Sequence, residues 1–594
     1  MLKKSFIWAC SAILIGQAWG QFGGTIGAGA FASSPGADLS GNWSPVAHEE
    51  SVGDPAIAEF AGVPINEGTR AWGLAWSPSR VTLPEHQCQV HLAGYIYGGP
   101  LNLRIWEERD QQSQKVIAIR QYISTYEQNR TIWMDGRPHP SPYAPHTWMG
   151  FSTGKWEGDT LTVYTTHMKM GELRRNGLME SDEATLVEHF IRYGDIMTHV
   201  SIISDPLSLT EPFVRSQTFR LTLPEGQTWL YPCEYVDEIA DRPRGDVPAF
   251  LPGKNPFVKE YAAKIHVPTE AELGGAASMY PEFQDAIKKN DFPALAKGPT
   301  TAPPLPPEGK IEVQHVQGNV YMIGGAGGNI AVQVGDLGVL VSDTGNGKYT
   351  DQVLAAIRKL SDKPIQYIFN TTLGREQTGG NAALRKAGVT ITGANVAAEI
   401  ADATVGAQLI AHQKMLDRMS APSGKKPAEP VDAWPTETYI KGQKEVYFND
   451  EPVTAIFQPK AITDGDSFVF FRRSDVVATG EIFTTAGYPK IDLANGGSIN
   501  GEIDALNNLL DLVIPKHEEE GGTYVIPGHG RICDEYDVLE YRDMITMIRD
   551  RVQDAIKRGM TLDQVKKANF TVDFDARYGP GDAFVETVYK SLKP

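Results

Sequence analysis

The chain has 594 residues, more than one ordinary domain needs, so two or more cores are expected. Hydrophobic residues make up 41% and charged residues 22%, an ordinary soluble balance that excludes fibrous and low-complexity classes. A formal net charge of −18 repels phosphate backbones and argues against nucleic-acid binding.

Lys3 and Lys4, the apolar run Phe6–Ile15 and the small residues around Ala18-Trp19-Gly20 read as a secretory signal peptide over residues 1–20. The expected location is therefore periplasmic or extracellular, with no transmembrane segment in the remainder. Residues 21–37 are rich in Gly, Ala and Ser and read as a flexible lead-in. Without Cys10, the exported chain keeps Cys88, Cys233 and Cys533. Cys88 and Cys233 lie toward the two ends of one predicted domain, and Cys533 lies in another. The expected pairing is Cys88–Cys233 with Cys533 free.

From Asp38 to Asp237 the pattern is β. The runs Leu101–Trp106, Val116–Tyr122, Thr160–Thr166, Leu186–Tyr193, Thr198–Ser204 and Ser216–Leu223 alternate or carry β-branched and aromatic residues. Asp135-Gly136, Glu157-Gly158-Asp159, Gly194-Asp195 and Glu225-Gly226 punctuate them as turns. Short strands so spaced predict an antiparallel barrel or sandwich. The phrases DLSGNW (38–43), DGRPHP (135–140) and WMGFSTGKWEGDTL (148–161) resemble a family of lipocalin-like secreted bacterial domains, which brings no assigned chemistry. Trp43, Trp106, Trp133, Trp148, Trp156 and Trp229 could line an apolar pocket, but at strand spacing core packing is the simpler reading. His139, His146, His167, His189 and His199 lack metal-ligand spacing and read as ordinary side chains. Residues 238–310 form a helical bridge that ends in the Pro-rich spacer TTAPPLPPEG (300–309).

From Ile311 the pattern becomes α/β. A strand over Asn329–Val334 leads through VLVSDTGNG (339–347) to a helix from Thr350 to Leu360, with Thr350 as its cap. GGAGG (324–328) lacks a following helix and a Lys-Ser/Thr pair, so it reads as a tight strand turn rather than a phosphate loop. Further elements are a strand over Ile365–Phe369, helices at about 381–387 and 396–418, and strands near 445–449, 453–458, 467–471 and 476–478. A helix at about 499–513, the strand Tyr524–Ile526 and a helical tail over 536–594 complete the chain.

In order and spacing, residues 311–535 resemble the metallo-β-lactamase superfamily. The resemblance implies an αββα sandwich of two mixed sheets and a two-metal hydrolytic centre on loops at one edge, where a metal lowers the pKa of a bound water. The superfamily places H-x-H-x-D-H inside the segment that here reads NTTLGREQTGG (370–380). Carried over position by position, its first-site histidines fall on Thr372, Gly374 and Ile462, none of which offers an imidazole. The second-site Asp and His fall on Glu376 and Gln377. The bridging Asp falls on Glu481 in TGEIF (479–483), and the last His is His529 in IPGHG (526–530). The framework residues Asp343, Gly345, Gly379, Gly380 and the TDGDS run (463–467) are retained.

The expectation is a multidomain exported protein whose dizinc centre is lost. It is a non-catalytic binding or assembly pseudoenzyme that takes a small apolar ligand or a protein partner and carries no cofactor. The alternative is a hydrolase of ester, lactone, lactam or thioester bonds working through one divalent metal on Glu376, Gln377, Glu481 and His529. The two readings differ in what they expect of those side chains: disarray for the first, convergence for the second. The sequence leaves the oligomeric state open, a homo-oligomer included.

Overall fold

In the first half of the chain, alternation of buried and exposed side chains dictates structure. A computed structural model describes residues 38–46, 55–99, 102–222, 233–292, 306–390, 406–421, 428–515 and 522–593. The predicted signal peptide and Gly-rich lead-in lie outside these residues, as does Trp229. The N-terminal strands are β1 (Gly41–Pro45), β2 (Leu103–Arg109), β3 (Val116–Ile123), β4 (Gln128–Trp133), β5 (Phe151–Glu157), β6 (Thr160–Thr166), β7 (Gly171–Arg174), β8 (Leu178–Glu180), β9 (Thr185–Tyr193), β10 (Ile196–Ser204) and β11 (Phe213–Thr222).

Nine of them close a barrel in the order β1-β11-β10-β9-β6-β5-β4-β3-β2, while β7 and β8 form a separate hairpin. Strand β1 pairs with both β11 and β2, so the barrel has no free edge. The expected all-antiparallel pairing needs one correction: β4 and β5 run parallel over Ile132↔Ser152 and Trp133↔Thr153. The connection between them crosses from one barrel end to the other, so β5 restarts in the direction of β4.

The barrel interior is packed. Leu186, Phe190, Met197, Ile203 and Phe219 fill it, with Trp43 wholly buried among them. Trp106, by contrast, is an exposed surface ring. A buried polar cluster completes the packing. Arg130 donates to Glu188 (2.8 Å), Tyr97 Oη (2.9 Å) and Thr165 (2.9 Å), and His199 sits 2.9 Å from the same Glu188. Paired and hydrogen-bonded charge is the form in which a barrel core tolerates Arg and Glu.

The second half builds two sheets. The seven-stranded sheet runs in spatial order through β12 (Glu312–Gln317), β13 (Val320–Gly324), β14 (Ile330–Gly335), β15 (Gly338–Ser342), β16 (Ile365–Phe369), β17 (Gln408–His412) and β18 (Glu437–Tyr439). The five-stranded sheet holds β19 (Gln443–Phe448), β20 (Glu451–Gln458), β21 (Asp466–Phe471), β22 (Val476–Ala478) and β23 (Tyr524–Ile526). Met322, Leu340 and Phe369 of one meet Phe448, Val469 and Phe471 of the other in a shared core. The helices Thr350–Leu360 and Asn381–Lys386 cover the outer face of the first sheet. The helices Ile499–Leu510, Glu535–Lys557 and Asp582–Leu592 cover that of the second.

Two local expectations change. Tyr349, not Thr350, occupies the cap position, because the Thr350 hydroxyl donates back to the Gly347 carbonyl. The expected helix over 396–418 is a strand, β17, followed by the helix Gln413–Ser420; residues 391–405 lie outside the described part. Leu409, Ile410, Ala411 and His412 are all buried between parallel neighbours. A run buried on both faces carries no alternation to separate strand from helix.

The segment after 535 is a layer of the sandwich: sixteen of the 23 residues of Glu535–Lys557 are buried. One side faces the second sheet, the other the barrel domain, which explains a helix buried nearly all round. The contact with the barrel domain is ionic. Asp182 accepts from Arg531 (3.0 Å) and Arg577 (2.8 Å), and Arg80 pairs with Glu540 (2.7 Å) and Asp543 (3.0 Å). Lys169, nearly buried, pairs with Asp534 (2.5 Å) and Asp537 (3.4 Å). Cys88 and Cys233 form a disulfide with Cα atoms 5.4 Å apart, and Cys533 is a buried thiol. The bridge ties two segments outside the barrel strands, and Gln87 beside it hydrogen-bonds both the N–H and the C=O of Val236 (2.8 Å each).

Candidate functional site

Three strand ends converge at one edge of the sandwich. After β16 the chain makes a single helical turn, Arg375–Thr378, carrying Glu376 and Gln377. After β22 a tight turn, Gly480–Ile482, carries Glu481. After β23 the loop Pro527–Gly530 carries His529. Glycine at 480 is required: its φ is +53°, and a Cβ there would lie 2.0 Å from Thr371 Oγ1. Asp343 holds the same strand end from below, accepting from Thr371 N (2.9 Å) and Thr371 Oγ1 (2.7 Å). Burial pushes the Asp343 carboxyl up to about 7, with the two Thr371 hydrogen bonds opposing and the Glu481 charge adding to the shift.

His529 Nε2 stands 3.0 Å from Glu481 Oε1 and 3.1 Å from Glu376 Oε2. Gln377 Nε2 donates to the same Glu481 oxygen at 2.5 Å, and Lys490 Nζ lies 3.6 Å from Glu376. Burial by itself would lower the His529 pKa, but the hydrogen bonds and charges of the two carboxylates outweigh it and carry the ring up to about 9. The hydrogen bond from His529 holds Glu376 below the ordinary glutamate range. At neutral pH the arrangement is an imidazolium clasped between two carboxylates, with an ammonium at the rim. Lys490 is the member that sequence reading missed; no metal-ligand pattern includes a lysine at that place.

The expected ligand positions separate into two groups. Glu376, Glu481 and His529 come together, with their candidate ligand atoms all within 4.8 Å of one another. Thr372, Gly374 and Ile462 contribute nothing to a metal. Thr372 is buried with its hydroxyl unpartnered among the described residues, and Ile462 is packed into the core beneath the outer helices. At Gly374 a Cβ would lie 2.6 Å from Gln377 Oε1, so the amide fills the space a larger side chain would take. A two-metal centre does not fit these residues. A single ion is a different matter. Ligands held 2.0–2.2 Å from one metal lie roughly 3.0–3.5 Å from each other, the spacing His529 keeps to each carboxylate. Gln377 Oε1 is buried without a partner among the described residues, an unused acceptor beside the trio.

No family model and no curated protein matches the chain. Among solved structures, the stereoselective inverting sec-alkylsulfatase Pisa1 from Pseudomonas sp. is similar over 47% of this chain, at 12% identity and a TM-score of 0.36. The match spans 50% of that enzyme. The DIM-1 metallo-β-lactamase is similar over 40% of this chain and 98% of its own, at 14% identity and a TM-score of 0.30. A metallo-β-lactamase from Pontibacter korlensis gives 14% identity and 0.30 over 40% of this chain and 99% of its own. The structural neighbours thus include metallo-β-lactamases.

Proposed function

We propose that this is an exported two-domain protein whose C-terminal unit, a metallo-β-lactamase-like sandwich without a dizinc centre, works as a non-catalytic binding module. The signal-peptide pattern of residues 1–20 supports export. The observation that carries the reading is the position of His529, 3.0 Å from Glu481 and 3.1 Å from Glu376, a pairing that favours the protonated ring. Cationic His529 and Lys490 neutralise the two carboxylates, the electrostatic task a metal would otherwise perform, while positions 372, 374 and 462 offer no imidazole. Elemental analysis of protein purified without added metal or chelator tests it. The expected result is well under one zinc per chain and no turnover of a chromogenic cephalosporin or lactone; two tightly held zinc ions would overturn it.

Glu376, Glu481 and His529 converge, with Gln377 alongside, which is the outcome expected of the hydrolase and not of a disarrayed pseudoenzyme. It supports a second reading: one hard divalent cation on these four side chains in an ester, lactone, lactam or thioester hydrolase. Such an ion would supply Lewis acidity to the cleft. This chain's residues would have to release the His529 proton first. With the ring at about 9, that costs roughly a hundredfold in apparent affinity at pH 7. Stoichiometric Mn²⁺, Fe²⁺ or Mg²⁺ with chelator-sensitive hydrolysis would decide for this reading.

A further inference from the structure

Behind the Glu481 and His529 loops lies a cavity of about 110 Å³ between the barrel domain and the sandwich. Trp72, Phe483, Phe574 and Tyr578 contribute aromatic rings to its wall, and Met179 and Met544 contribute thioethers. Trp72 and Phe574 stand edge to face at 5.1 Å. This volume is below the roughly 150 Å³ of apolar cavities that hold benzene, so one ring fills it and a substituent sits at its half-open side. Aromatic rings with polarizable sulfur suit a flat π-system.

The charged groups in the wall other than Glu180 are already paired; both Glu180 carboxyl oxygens are buried without a hydrogen-bond partner among the described residues. Asp182 pairs with Arg531 and Arg577, Glu540 with Arg80, and Asp573 with Arg551 at 2.6 Å. Glu180 is kept neutral at pH 7, because burial and then the Asp205 charge push it to about 8. An anionic ligand would have to take a guanidinium from a buried pair and leave its carboxylate uncompensated, which is costly. Trp72, only 6% exposed, has its Nε1–H buried without a partner among the described residues. A buried donor of this kind rewards a ligand that brings an acceptor.

We propose that this interdomain cavity is the binding site, and that it takes an uncharged, planar aromatic molecule bearing one hydrogen-bond acceptor, such as an aryl ketone or aryl ester. The inference rests on the reading of the protein as a binding module and gives that module its ligand class and its place. The cavity also adjoins the clasped histidine: Thr485 N–H donates to the His529 carbonyl at 3.1 Å, and Thr484 and Thr485 line the wall.

Acetophenone titrated into the full-length protein by calorimetry tests the proposal, with benzoate as a charged counterpart of the same size. Saturable binding of acetophenone at about 1 mM or tighter is expected, at least tenfold better than benzoate. Met544→Trp fills the cavity from the helix side. Ala576→Trp fills it from the half-buried mouth, and serves where the first variant fails to fold. Each should weaken acetophenone at least tenfold while the urea midpoint is held. No saturable binding, equal binding of benzoate, or undiminished binding in a folded cavity-filled variant overturns the proposal. The same titration in EDTA separates this outcome from the metal question, since the cavity site is expected to be indifferent to chelator.

Discussion

Asp182→Asn is the sharpest probe of the joint between the two domains. The carboxylate is nearly buried and accepts from Arg531 at 3.0 Å and Arg577 at 2.8 Å. Stripping one partner from an isolated buried pair costs about 3–5 kcal/mol. Here each cation keeps a second anion: Arg531 holds Asp537 at 2.7 Å, and Arg577 holds Glu183 at 2.5 Å. An asparagine oxygen also still accepts one hydrogen bond. The expected loss is therefore about 2 kcal/mol, roughly a thirtyfold change in the folding equilibrium. Glu183→Gln, which touches Arg577 from a more exposed position, should cost under about 1 kcal/mol. The pH dependence carries a sign. Burial tends to raise Asp182, but the two guanidinium groups hold it below the usual aspartate value. Its contribution is thus present above about pH 4 and lost as pH falls through its folded value. Urea unfolding followed by tryptophan fluorescence at pH 7 and pH 3 reads both points. A Glu183→Gln effect as large as that of Asp182→Asn, or an Asp182→Asn deficit undiminished at pH 3, refutes the argument.

The His529 ring should titrate near pH 9, so its clasp contributes fully below about 6.5 and is lost as pH rises through 9. Histidine NMR assigned with His529→Gln checks this, and a ring that titrates at 6.5 or lower sinks it. Gly374→His alone should destabilise by about 1–2 kcal/mol, since its Cβ meets Gln377 Oε1 at 2.6 Å. Joined with Thr372→His, Glu376→Asp, Gln377→His, Ile462→His and Glu481→Asp, it should create zinc binding measurable by calorimetry; a folded six-fold variant blind to zinc means the cleft has been remodelled. Replacing Cys88 and Cys233 by serine should cost about 2–5 kcal/mol for a bridge spanning 145 residues. Mass mapping of the unfolded parent should find Cys533 as the free thiol among these three, and free Cys88 and Cys233 would refute the bridge.

Sequence reading located elements best where side-chain period is unambiguous. Thr160–Thr166, Ile365–Phe369, Val476–Ala478 and Tyr524–Ile526 occupy the expected residues. It failed at β17, buried on both faces, and did not single out β1, β4, β5 or the β7–β8 hairpin, which are short, glycine-containing or polar. Within the candidate site, Glu376, Gln377, Glu481 and His529 were legible from their place in a motif. What the motif could not carry was the protonation that Glu376 and Glu481 impose on His529, or the approach of Lys490. Both depend on distances between strand ends that lie far apart in the chain, 153 residues for Glu376 and His529. The ionic joint with the barrel was illegible for the same reason: Asp182 and Arg531 each look like ordinary surface residues until the fold brings them together.

Ile462 bears on what this edge can become. Its side chain is a working part of the apolar core beneath the outer helices. A lone Ile462→His change would remove that packing and insert an imidazole with few partners, before any metal could compensate. The crowded amide beside Gly374 sets a similar barrier to a histidine there. A dinuclear centre therefore cannot be built at this edge one substitution at a time without crossing less stable intermediates, and uses of the scaffold that need no such centre lie nearer to hand.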